Sequence, residues 1–164
     1  MNYFKTTEQP TLQDFHIDGV RHIDPIDAFE AITSGHAVMI DVREMNEVQL
    51  ACMPLDRVLN HPMSVMMDRL SYIAKDQQII VGCPGGVRSV KVAHLLQIQG
   101  YPNVASLDGG LTMWKAKGLP WDSNPSFGGC DCGAETQTNT GNRTSLLAPL
   151  KNVSGVDYKN LKRS

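Results

Sequence analysis

Cys83 stands one residue, Gly82, beyond the largely apolar run Gln78-Ile79-Ile80-Val81 and opens the segment Cys83-Pro84-Gly85-Gly86-Val87-Arg88-Ser89. A cysteine sulfur attacks as its thiolate, so the useful question is what surrounds it that would favour negative charge. Glycines at 85 and 86 allow backbone N–H groups to turn inward. A helix starting just beyond them would aim its N-terminus at the same point, and a concave set of N–H donors of this kind stabilises an anion. Arg88 adds a permanent positive charge. Two roles are open to it: contact with the bound anion, or bracing of the loop by pairing with a carboxylate such as Asp41.

The chain around this segment alternates strands and helices. Val20-Arg21-His22-Ile23 is a short strand candidate. Asp24-Pro25 then reads as a helix cap followed by proline at the first helical position, where its missing N–H costs nothing. Ile26, Phe29, Ala31 and Ile32 give that helix an apolar stripe, and Gly35 stops it. Ala37-Val38-Met39-Ile40 and Gln78-Ile79-Ile80-Val81 are continuous apolar runs, as strands buried on both faces require. Val58-Leu59 and Asn103-Val104-Ala105-Ser106-Leu107 are further strand candidates. Met63, Met66, Met67, Leu70, Ile73 and Ala74 fall at helical spacing and read as core packing. A helix with Val92, Leu95 and Leu96 follows the cysteine loop, and a last one bears Leu111, Met113 and Trp114. The alternation predicts a parallel sheet with helices on both faces, which places Cys83 at a strand's carboxyl end, where ligands collect in such sheets.

The 164 residues suffice for one core, and 41% apolar with 20% charged residues describes an ordinary globular composition. A formal charge of −2 offers no footprint for nucleic acid. No apolar run approaches the roughly 20 residues that span a bilayer. The polar opening has no apolar signal region, and four cysteines without one point to reduced thiols and a cytoplasmic setting. Residues 1–18 read as a flexible N-terminal segment and residues 19–121 as the domain. Residues 122–164 form a cysteine-containing tail, expected to be partly disordered because Ser, Asn, Thr and Gly dominate it to residue 145.

Cys83-Pro84-Gly85-Gly86-Val87-Arg88-Ser89 resembles the C-x-x-G-x-R-S active-site loop of the rhodanese family. Ile40-Asp41-Val42-Arg43-Glu44 is similar to that family's D-x-R-E element, with Glu47 where a second acidic residue is usual. Leu107-Asp108-Gly109-Gly110 with Trp114 looks like its closing G-G-x-x-x-W segment. The resemblance covers roughly residues 20–121. It implies a rhodanese-like α/β domain with about five parallel strands, and a sulfurtransferase activity. Such proteins move sulfane sulfur from thiosulfate, polysulfide or a protein persulfide to a thiol or cyanide acceptor through a cysteine persulfide. On that reading Cys83 is the nucleophile and carrier. Pro84, Gly85, Gly86, Val87 and Ser89 form the substrate-binding loop, with the N–H groups of Gly85, Gly86, Val87 and Arg88 as candidate donors to the persulfide anion. Asp41 and Arg43 would form a supporting ion pair. No organic cofactor, metal, nucleic acid or membrane partner is implied.

Related cysteine-dependent phosphatases and arsenate reductases carry one residue more between cysteine and arginine than the four here, Pro84 to Val87. The shorter loop suits a single terminal sulfur, and no aspartate general acid is identifiable. A different class of function is a catalytically weak rhodanese-like module that binds or regulates. The loop also lacks a basic residue between Cys83 and Arg88, where thiosulfate-using relatives often have one; Lys91 lies one turn further on. Cys52 occupies a loop position where the family often has histidine, either as a small buried residue or in a redox role. Cys130-Asp131-Cys132 on a glycine-rich stretch has three readings: no specific role, a thiol relay that takes sulfur from Cys83, or half of a metal site with no nearby histidine to complete it.

Overall fold

The computed structural model describes residues 4–123. Cys130 and Cys132, and with them the relay reading, lie outside the described residues. Five strands, β1 (Arg21–Ile23), β2 (Val38–Asp41), β3 (Val58–Asn60), β4 (Ile79–Gly82) and β5 (Val104–Leu107), form one parallel sheet in the order β1-β5-β4-β2-β3. The connecting helices are α1 (Pro25–Thr33), α2 (Met45–Leu50), α3 (Val87–Ile98) and α4 (Gly110–Ala116). The expected α/β class and five-stranded parallel sheet are present.

Alternation along the strands divides the core into two layers. Ile79 and Val81 face Val90, Ala93 and Leu96 of α3, whereas Ile80, Ala105 and Leu107 face Ala28 and Ile32 of α1 and Leu111 and Trp114 of α4. Because helices cover both faces, β2 and β4 are buried throughout, which explains their unbroken apolar runs. α1 starts as expected, with Asp24 Oδ1 accepting from the Ile26 N–H at 2.8 Å. Ile26, however, faces outward, and Ala28, Ala31 and Ile32 carry the buried stripe. The methionine-rich stretch also departs from expectation. It forms two 3₁₀ segments, Met63–Val65 and Met67–Tyr72, and only Met66 of its three methionines is buried. A three-residue turn cannot align positions spaced for an α-helix, so Met63 and Met67 turn to the surface.

The N-terminal boundary needs correction. Residues before 19 were expected to be loose, yet Thr7 forms a two-way backbone bridge with His22, each bond 2.8 Å. The N–H groups of Thr11 and Leu12 donate to the Asp108 carboxylate at 2.8 and 3.0 Å, and Phe15 and Ile17 pack against the α3-side core. Polar composition hides this strap from sequence reading, because hydrogen bonds rather than an apolar period attach it.

Candidate active site

β4 is the central strand, and Cys83 follows its last residue. The loop then passes through Pro84 and Gly85 to Gly86, whose φ of +90° lies in the left-handed region that glycine enters without strain. That turn lets the chain start α3 at Val87 with its N-terminus directed at the cysteine. Cys83 is a free thiol with 1% exposure. Its Sγ accepts from the Gly86 N–H at 3.1 Å and the Ser89 N–H at 3.2 Å. The Ser89 hydroxyl lies 3.4 Å from the same sulfur and 2.8 Å from the Ser106 hydroxyl on β5. Of the expected cradle, Gly86 therefore meets the thiol sulfur itself, and Ser89 contributes an N–H that the sequence reading had not assigned. Val87 and Arg88 sit in the first turn of α3, where N–H groups have no carbonyl four residues back.

The loop is held from behind by the start of α4. The Leu111 N–H donates to the Cys83 carbonyl at 2.8 Å, and the Thr112 N–H and hydroxyl donate to the Pro84 carbonyl at 3.0 and 2.9 Å. Gly110 makes this approach possible. A Cβ there would lie 2.5 Å from both carbonyl oxygens, and its φ is +65°. From the N-terminal strap, Gln13 Nε2 donates to the Gly86 carbonyl at 3.2 Å while its Oε1 accepts from the Gly109 N–H at 2.8 Å. One carboxamide thus joins the cysteine loop to the α4 turn.

Arg88 is paired, and the partner is Glu47 rather than Asp41. Nη1 and Nη2 donate to Oε2 and Oε1 at 2.8 and 2.9 Å. These bonds hold the Glu47 carboxyl down at about 2, against the opposing effect of burial. The same bonds raise Arg88 above its ordinary value against the opposing effect of burial, and the nearby Cys83 and Asp41 add to the rise. Asp41 instead binds Arg43: Nη2 donates to Oδ2 at 2.7 Å and Nε to Oδ1 at 3.0 Å, both side chains being buried. Asn60 Nδ2 donates to the Asp41 and Arg43 carbonyls, which fixes the turn leading into α2 and so places Glu47.

Cys52 is fully buried and disulfide-bonded, which corrects both its reading as a free apolar thiol and the expectation of four reduced cysteines. Its backbone exchanges two hydrogen bonds with Asp122, at 2.9 and 2.8 Å. No helix among the described residues is long and apolar enough to cross a membrane.

A central parallel strand that ends in a cysteine, a glycine turn and a helix N-terminus defines the class of site seen in single-cysteine α/β domains. Comparison with known proteins makes the family specific. The model of the Rhodanese-like domain matches residues 6–117, and the chain belongs to that family. A protein named sulfurtransferase from Allochromatium vinosum is 34% identical over 83 residues, covering 51% of this chain and 76% of that protein. The thiosulfate sulfurtransferase GlpE of Actinobacillus succinogenes is 30% identical over 102 residues, covering 62% of this chain and 89% of its own length. Among solved structures, a rhodanese-related protein from Thermoplasma volcanium superposes with a TM-score of 0.55 at 26% identity, covering 61% of this chain and 95% of that one.

Proposed function

We propose that this chain is a sulfurtransferase that carries sulfane sulfur as a persulfide on Cys83. The observation that supports this most directly is the pair of N–H donors, from Gly86 and Ser89, on the Cys83 sulfur. Donors fixed in place before the reaction stabilise charge without reorganising.

In the first half-reaction the Cys83 thiolate attacks the sulfane sulfur of the donor. The S–S bond of the persulfide forms, and the donor's remaining group leaves with the electron pair of the broken bond. The charge moves outward to the terminal sulfur, about 2 Å from Sγ, for which the N–H groups of Gly85, Val87 and Arg88 are the candidate donors. In the second half-reaction an acceptor thiolate or cyanide attacks that terminal sulfur, and Cys83 departs as thiolate. Arg88 acts here chiefly as a brace, since two of its N–H groups are committed to Glu47. With no basic side chain between Cys83 and Arg88, the site favours polysulfide or a protein persulfide over the thiosulfate dianion.

Intact-protein mass after brief exposure to thiosulfate, and separately to polysulfide, tests the reading. Wild type should gain one sulfur mass and Cys83→Ala none, with polysulfide the better donor. No gain from either donor in a folded protein would refute it and favour a binding module.

A further inference from the structure

Ser106 lies in the middle of β5, between Ala105 and Leu107, and is fully buried. Its strand neighbours in register are Val81 and His22. Nothing in the sheet requires a hydroxyl at that position, and a buried hydroxyl is unfavourable unless it is hydrogen-bonded. Its partner is Ser89, also fully buried, at 2.8 Å, and Ser89 in turn lies 3.4 Å from Cys83 Sγ. Three side chains from β5, α3 and the catalytic loop therefore form one line that ends on the sulfur.

Resting on the sulfur-transfer reading above, we infer that Ser106 is a positioning residue that orients the Ser89 hydroxyl toward the Cys83 sulfur whenever that sulfur carries charge. Each serine has one hydroxyl proton. When Cys83 is a thiolate, Ser89 donates to it and accepts from Ser106, so that both protons point along the line toward the charge. Such aligned hydroxyls polarise one another and act together more strongly than separately. When Cys83 is a thiol, its S–H can donate to Ser89, and the two hydroxyls can turn the other way without any heavy atom moving.

The line ends on Sγ, not on the terminal sulfur of a persulfide. Its effect therefore falls on Cys83 as attacking group in the first half-reaction and as leaving group in the second. The terminal sulfur is left to the backbone donors. In each half-reaction the balance stays as written above, and the serines change only the direction of their O–H bonds.

Ser106→Thr and Ser106→Val have nearly the same shape and differ in the hydroxyl, so they separate its effect from packing. The readouts are the alkylation rate of Cys83 by iodoacetamide and the ultraviolet absorbance band of the thiolate. Ser106→Val and Ser106→Ala should alkylate Cys83 about threefold to tenfold more slowly, with a weaker thiolate band, while Ser106→Thr stays close to wild type. In a Ser89→Ala background the Ser106→Ala change should add nothing further, because its route to the sulfur is gone. Equal rates for the Thr and Val variants would overturn the inference. So would a Ser106→Ala effect that persists undiminished without the Ser89 hydroxyl. These readouts do not depend on sulfur transfer: a wild type that gains no sulfur would remove the functional reading while leaving the alkylation result to decide the role of Ser106.

Discussion

Arg88 reaches from the first turn of α3, at the end of the cysteine loop, to α2 and grips both carboxylate oxygens of Glu47, at 2.8 and 2.9 Å. The arrangement is bidentate, so it fixes the angle between the loop and α2 as well as their distance. Glu47 also accepts the Glu44 N–H at 2.9 Å, which closes the start of its own helix.

The pair makes stability depend on acid. Glu47 is held at about 2 in the folded protein, chiefly by the bonds from Arg88, against an ordinary value near 4.5. Its contribution is fully present above pH 4.5 and is lost as pH falls from there through about 2. Both side chains are 33% exposed, so solvent screening holds that contribution to about 1 kcal/mol. Urea unfolding of wild type and Glu47→Gln at about pH 6 and about pH 3 checks this, since the difference between the two proteins should shrink at the lower pH.

Asp41 and Arg43 behave differently because water does not reach them. Asp41→Asn leaves a buried guanidinium without its counter-charge and should destabilise the fold by about 3–5 kcal/mol, read from chemical denaturation. A loss below about 1 kcal/mol would show that the Arg43 stacking over Trp121, at 5.4 Å, suffices to hold it.

Gly110, which opens α4, and Gly86, in the cysteine loop, should fail in distinct ways. At Gly110 the new Cβ meets the backbone oxygens of Cys83 and Pro84, which cannot swing aside. Gly110→Ala should cost more than about 2 kcal/mol in stability and slow sulfur loading in the mass assay. At Gly86 the Cβ meets the flexible side chain of Gln13, so Gly86→Ala should regain part of its lost stability when combined with Gln13→Ala. The remainder, about 1 kcal/mol, is the strain of a left-handed alanine.

Gln13→Ala alone removes the bridge between the Gly86 carbonyl and the Gly109 N–H. Each lost bond is worth about 1 kcal/mol at most. The expected outcome is a small drop in melting temperature together with faster amide exchange in the α4 turn and a severalfold slower sulfur loading. Unchanged exchange at Gly109 would show that the strap merely rests on the loop.

The strands that carry the site were legible because double-sided burial writes itself as apolar runs, and Cys83 was legible because a glycine turn follows the plainest of them. The Arg88 partner was not. Asp41 and Glu47 both stand close to the loop, and only the turn fixed by Asn60 decides that Asp41 turns to Arg43 while Glu47 turns to Arg88. Gln13 and Ser106 left no periodic trace at all. A single polar side chain that bridges two loops, or a serine inside an apolar strand, becomes meaningful once its partner is known. Cys52 was illegible for the converse reason, since a buried cysteine reads the same from sequence whether bonded or free.

A peptide group is a flat plate with its carbonyl and the following N–H pointing in opposite directions. Thr112 grips the plate between Pro84 and Gly85 by its oxygen, with two donors. The Gly85 N–H on the far edge of that plate must then face away from α4, before any sulfur compound arrives. The plate cannot flip to suit a guest without breaking both bonds on its other edge. The loop is a mould already cast, and its shape is set by α4 rather than by the guest.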